Sequence, residues 1–122
     1  MRKWTTALAF TGALMTGNAM ADGNQLLTQC LAAVRALDGI DTNNVGFGAG
    51  YCMGQVSGVM DMLNAFSEDL PTQFKACIPP PGIQYGQGIR IVTQYLKDHL
   101  KFLHLGNAVL IHKSLQTAYP CK

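Results

Sequence analysis

Four cysteines constrain this chain more than any other feature. Cys30, Cys52, Cys77 and Cys121 are all it has in 122 residues. No two form a C-x-x-C pair, which argues against a zinc ribbon or a thioredoxin-type redox site. An even number of widely spaced cysteines in a small exported domain reads as two disulfides, because a short chain buries too little surface to rely on its core alone. A reduced, nucleophilic Cys52 would need a neighbouring base and a reducing compartment, and the disulfide reading is preferred.

Export is read from the N-terminus. Arg2 and Lys3 precede the apolar stretch WTTALAFTGALMTG, and Ala19 and Ala21 supply the small-x-small pattern of a signal peptidase site. The stretch is too short and threonine-rich for a membrane span. Residues 1–21 are therefore expected to be a secretory signal peptide and residues 22–122 a single small domain. Of nine Lys and Arg against seven Asp and Glu, Arg2 and Lys3 leave with the leader, so the mature chain is neutral. That removes any general electrostatic case for nucleic acid or anionic membrane as a partner.

The run GFGAGYCMGQVSG, residues 46–58, invites comparison with a phosphate-binding loop, but its offsets fail. A G-x-G-x-x-G motif would need glycine at Tyr51 or Met53, and no glycine of the run precedes a lysine. The recurring step is four residues, Gly50, Gly54 and Gly58, which lines one face of a helix. The reading is a flexible loop into a helix whose bare face allows a second helix to pack closely.

The remainder divides into helices. Asn24 is a suitable N-cap for a first helix with Leu27, Cys30, Leu31, Val34 and Leu37 in phase. A turn-rich stretch, residues 38–50, follows. A second helix, residues 50–66, carries Val56, Val59, Leu63 and Phe66 and stops before Pro71. TQFKA offers one further helical turn, and CIPPPG is a rigid, extended connector. Helices over residues 87–99 (Ile89, Val92, Leu96) and 101–119 (Ala108, Ile111, Leu115, Ala118) complete the chain, with Gly106 marking a bend. No segment alternates as a strand does. The fold expected is all-α, a small disulfide-braced bundle of four to five helices. Antiparallel neighbours favour pairing Cys30 with Cys52 and Cys77 with Cys121, with Cys30–Cys121 plus Cys52–Cys77 as the rival.

No catalytic constellation is legible: there is no H-E-x-x-H, no G-x-S-x-G and no close pair of inward carboxylates. His99, His104 and His112 lie among charged residues, as on solvated faces. Met53, Met60 and Met62 fit helix packing better than a copper site. Neither enzyme activity, metal nor cofactor is expected.

Taken in order, GYCMGQVSGVMD (50–61), CIP (77–79), GIRIVTQYLKDHL (88–100) and AYPCK (118–122) resemble the immunity proteins that accompany type VI secretion amidase effectors, the Rap/Tai family. Its C-x-G-x-x-x-G helix, C-x-P turn, V-x-x-Y-L helix and terminal aromatic-Pro-Cys are all matched. One departure is Leu100 after His99, where the family commonly has proline, so the break between the last helices is not fixed by the motif. The resemblance implies a periplasmic homodimer that occludes the cleft of a peptidoglycan amidase. A general periplasmic stress or chaperone-like protein, or an envelope accessory factor, is the competing class. For partner contact, residues 79–87 offer a proline-stiffened loop with Gln84 and Tyr85 at its tip and Gln87 beyond. The glycine-rich loop, with Asn43, Asn44 and Phe47 at its tip, competes for the role.

Overall fold

The computed structural model describes residues 22–40, 43 and 45–122; the expected signal peptide, residues 1–21, and Asn44 lie outside the described residues. The described chain is all-helical. Four α-helices follow one another, α1 (Gly23–Leu37), α2 (Phe47–Ala65), α3 (Tyr85–Asp98) and α4 (Asn107–Ala118), with single 3-10 turns at Thr72–Phe74 and Leu100–Phe102. No strand occurs among the described residues beyond one isolated bridge between Asp22 and Gly106.

All four helix starts differ from the sequence expectation, α3 by two residues, at Tyr85 where residue 87 was expected. The cap of α1 is Asp22, whose Oδ1 accepts from the backbone N–H of Asn24 at 3.1 Å and of Gln25 at 3.3 Å. A carboxylate there answers both the orphan donors and the positive end of the helix dipole, so Asn24 is already helical. The glycines at 48 and 50 do not delay α2, which begins at Phe47. The last helix expected from residue 101 is interrupted. His99 leaves helical geometry (φ −127°, ψ 51°), a 3-10 turn follows, and Gly106 is the N-cap of α4 where a bend was expected.

The core is built from Leu26, Cys30 and Ala33 of α1, Ala49, Cys52, Val56, Met60 and Leu63 of α2, Ile89, Val92 and Leu96 of α3, Leu103, and Leu110, Ile111 and Leu115 of α4. The expected face of α3 is the buried one. On α1 the buried line is shifted by one position, leaving Leu31 and Leu37 exposed. At the start of α1 the chain runs close to Leu103, where a Cβ on Gly23 would stand 2.9 Å from the Leu103 backbone. Phe66, Ala108 and Ala118 are likewise exposed. The buried hydroxyls of Thr93 and Ser114 donate to carbonyls one turn back, at 2.7 and 2.6 Å, so neither is an unpaired polar group in the core.

Both disulfides of the favoured pairing are formed. Cys30–Cys52 ties α1 to α2 inside the core, with both residues fully buried. Cys77–Cys121 joins the connector ahead of α3 to the chain beyond α4 and lies near the surface.

Candidate partner-binding site

The proline connector is held at its base by α4. His112, Gln116 and Tyr119 are spaced four and three residues apart, on or just past one face of α4. His112 Nε2 lies 2.7 Å from the Phe74 carbonyl, which can only accept, so the imidazole donates. Gln116 Nε2 donates to the carbonyls of Gln73 (2.8 Å) and Lys75 (3.1 Å). The Cys77 N–H donates to the Tyr119 carbonyl at 2.9 Å, and the Cys77–Cys121 bridge closes the clasp.

Beyond Cys77 the chain runs out through Pro79, Pro80 and Pro81, all exposed, and turns back at Gly82. The Gly82 N–H donates to the Pro79 carbonyl at 2.8 Å. At Gly82 φ is 104°, a conformation that side chains disfavour. Ile83 then returns to pack on the core. The projecting tip is thus the proline-glycine turn. Gln84 and Tyr85, expected at the tip, sit at its root: Gln84 is the N-cap of α3 and Tyr85 its first residue. The Tyr85 hydroxyl donates to Asp61 Oδ1 at 2.6 Å, fastening α3 to α2. That carboxylate, by hydrogen bond first and then by charge, raises the Tyr85 pKa above its ordinary value of 10.0. Gln87 Nε2 donates to the Tyr119 hydroxyl at 3.1 Å.

Between the connector and the end of α2 lies an open cavity of about 420 Å³. Its apolar wall comes from Met60, Leu63, Ile78 and Ile83, and Asp61, Asn64 and Tyr85 add polar groups.

A second surface lies at the other end of α2. Phe47 is 84% exposed and its ring lies 5.6 Å from that of Tyr51. From there Gly50, Gly54 and Gly58 run along α2, and apart from their chain neighbours and the helix's own backbone nothing comes within 4 Å of where their side chains would be. The expectation of a helix packed on this face is not met within the described chain. Close packing occurs at Gly88 instead, where a Cβ would collide with Met60 Sδ. The bare stripe continues into a shallow groove with Met62 and, from α4, Ala108 and Val109. No charged residue lines it. Phe47 and Asp61 are fourteen residues apart on α2, so about 21 Å of helix separates the two surfaces.

The three histidines are used locally. His99 Nδ1 meets the Tyr95 carbonyl at 2.8 Å and His104 Nδ1 the Lys101 carbonyl at 3.1 Å, while His112 belongs to the clasp. Among the described residues no three His, Cys, Asp or Glu side chains converge as a metal site would need. No described helix is long and apolar enough to cross a membrane.

The described chain is thus an all-helical domain with two disulfides and a clasped projection. The profile of the Rap1a immunity proteins matches residues 22–121, and the chain belongs to that family. No significant match to a curated protein or to a solved structure was found. Membership in an immunity family implies a cognate secreted effector as partner.

Sequence reasoning met Asp61 and Tyr119 only inside family motifs and gave neither them nor Gln116 a role. The 4-3 spacing of His112, Gln116 and Tyr119 was the available signal, a polar line on a helix otherwise read by its apolar phase.

Proposed function

We propose that this protein is an exported, periplasmic immunity protein that binds a type VI secretion peptidoglycan amidase and occludes its catalytic cleft. It acts by binding and carries out no chemistry of its own. The clasped connector is the observation that carries the reading. A cleft inhibitor needs a projection whose shape survives binding, because ordering a loose segment subtracts from affinity. Here both ends of the projection are fixed through Tyr119, and the turn itself is made of prolines. Gln84, Tyr85 and Gln87 then form the shoulder of the contact.

Support for the compartment comes from the two disulfides, which persist in oxidising surroundings. The uncharged face of α2, with Phe47, Tyr51 and the glycine stripe, is assigned to a second copy of the chain. It carries no like charges to repel its own image across a two-fold axis.

The test is inhibition. The purified mature protein is mixed with a candidate cognate type VI secretion amidase, and hydrolysis of peptidoglycan cross-bridges is followed with time. Stoichiometric loss of activity is expected. Full activity with excess protein overturns the reading and favours a general envelope or chaperone-like role.

A further inference from the structure

We infer that the cavity between the end of α2 and the proline connector receives a basic side chain, lysine or arginine, of the bound effector. This rests on the proposed function and adds the chemistry of one contact to it. Three observations converge.

The first is charge. Asp61 is the sole charged residue of α2 and borders the cavity, and no lysine or arginine lines the space. Among the described residues Asp61 forms no ion pair. Its contact is the neutral Tyr85 hydroxyl, on Oδ1, and a carboxylate has accepting capacity for more than one donor.

The second is the helix end. The nineteen-residue α2 terminates at Ala65 with no basic residue in its last turn, so the negative end of its dipole is left without a compensating cation. Leu63, Asn64 and Ser67 of this end border the same cavity. Glu68 and Asp69 follow directly and add to the negative potential. Lys75 precedes the lining residue Ala76 but is not itself part of the wall.

The third is the division of the surface. Met60, Leu63, Ile78 and Ile83 provide an apolar wall, with Asp61 and Asn64 adding polar groups. A long aliphatic stem carrying a cationic head matches that pattern, since such side chains lay their methylenes on apolar surface and keep the charge among polar groups. The volume, about 420 Å³, is within the range of small-ligand clefts. Its place beside the projecting turn puts it at the margin of the proposed inhibitory contact.

Two measurements decide this. Nα-acetyl-lysine methylamide is titrated into the wild-type protein alone, with the uncharged norleucine analogue as control, following the Met60 methyl and Asn64 amide resonances. Shifts with the lysine probe, absent with norleucine and reduced at least tenfold in apparent affinity by Asp61→Asn, are expected. Equal shifts from norleucine, no shift from the lysine probe, or an unchanged Asp61→Asn variant overturn the inference. In the second measurement, Asp61→Asn raises the Kd for the effector at least tenfold at low salt and flattens its salt dependence. An unchanged Kd and salt slope there remove the effector as the occupant. If wild type binds no amidase at all, the proposed function fails, whereas the probe titration still judges the cavity. Circular dichroism confirms that the exposed substitution leaves the fold intact.

Discussion

The Cys77 N–H donates to the carbonyl of Tyr119 at 2.9 Å, and the hydroxyl of the same tyrosine accepts from Gln87 on the far side of the connector. One residue at the end of α4 thereby holds both ends of the segment that projects from the bundle. The adjacent disulfide makes the arrangement covalent, and the two bridges should behave differently because their surroundings differ.

Cys30 and Cys52 are fully buried, whereas Cys77 is exposed and Cys121 half-buried. Mild reduction followed by alkylation should label Cys77 and Cys121 first and reach Cys30 and Cys52 only when the protein unfolds. Peptide mass mapping over a reductant series checks the order. Chain entropy gives each bridge about 3 to 4 kcal/mol. Cys30→Ala with Cys52→Ala should cost more than Cys77→Ser with Cys121→Ser in urea denaturation, since the buried pair also leaves a cavity worth about 1 kcal/mol or more.

Glycines of similar appearance should respond differently. Gly88→Ala drives a methyl into Met60 and should cost about 1 to 2 kcal/mol of overpacking, offsetting the ~1 kcal/mol gain in helix propensity, so that stability fails to rise. Gly54 meets nothing within the chain, so Gly54→Ala should stabilise it by about 0.5 to 1 kcal/mol through helix propensity alone. Sedimentation of Gly54→Leu then tests the second copy. A dimer that dissociates while the melting temperature holds or rises assigns the stripe to the interface between copies, and unchanged sedimentation removes that assignment.

The contrast shows where the sequence was readable. Helix number, the phase of α3 and the favoured cysteine pairing followed from apolar spacing and from breakers such as Pro71 and Pro79. The glycine step pointed to a face on which no helix of the described chain packs, because a bare face permits close packing without requiring it within one chain. Gly88 stands alone in its helix face and gave no periodic signal. Tyr85 is exposed, as its reading as an anchor required, but its tie to Asp61, 24 positions earlier in the sequence, was not legible. No local pattern announces a bond between side chains of different helices. Phe47 was placed on a loop because flanking glycines disfavour helix, yet α2 starts there and packing outweighed propensity.

The Tyr85–Asp61 bond should appear in titration. Ionising Tyr85 sets a phenolate against a carboxylate and removes the donated proton, so its folded pKa lies above 10.0. A folded value above the unfolded one means that the contact contributes below about pH 10 and is lost as pH rises through the folded pKa. NMR titration of the Tyr85 Cζ resonance should show a midpoint above 10.0, moving down in Asp61→Asn. A Tyr85 midpoint that ignores the substitution removes the bond as its cause.

Inhibition should depend on the shape of the proline turn more than on its aromatic root. Gly82 holds φ at 104° at the point where the chain reverses, so Gly82→Val should strain or re-route the tip by about 1 to 3 kcal/mol locally. The tip, residues 79–82, is exposed, and helicity and both disulfides should persist. If the turn enters the amidase cleft, Gly82→Val weakens inhibition at least tenfold, about 1.4 kcal/mol. Gln84→Ala with Tyr85→Ala should weaken it as well, partly by untying Tyr85 from Asp61. Phe47→Ala acts about 21 Å away along α2 and should leave inhibition intact while altering self-association. Inhibition constants for the three variants against the cognate amidase, measured alongside sedimentation, separate the two surfaces. Full inhibition by Gly82→Val together with its loss in Phe47→Ala would move the amidase contact to the start of α2 and leave the clasped connector a structural brace.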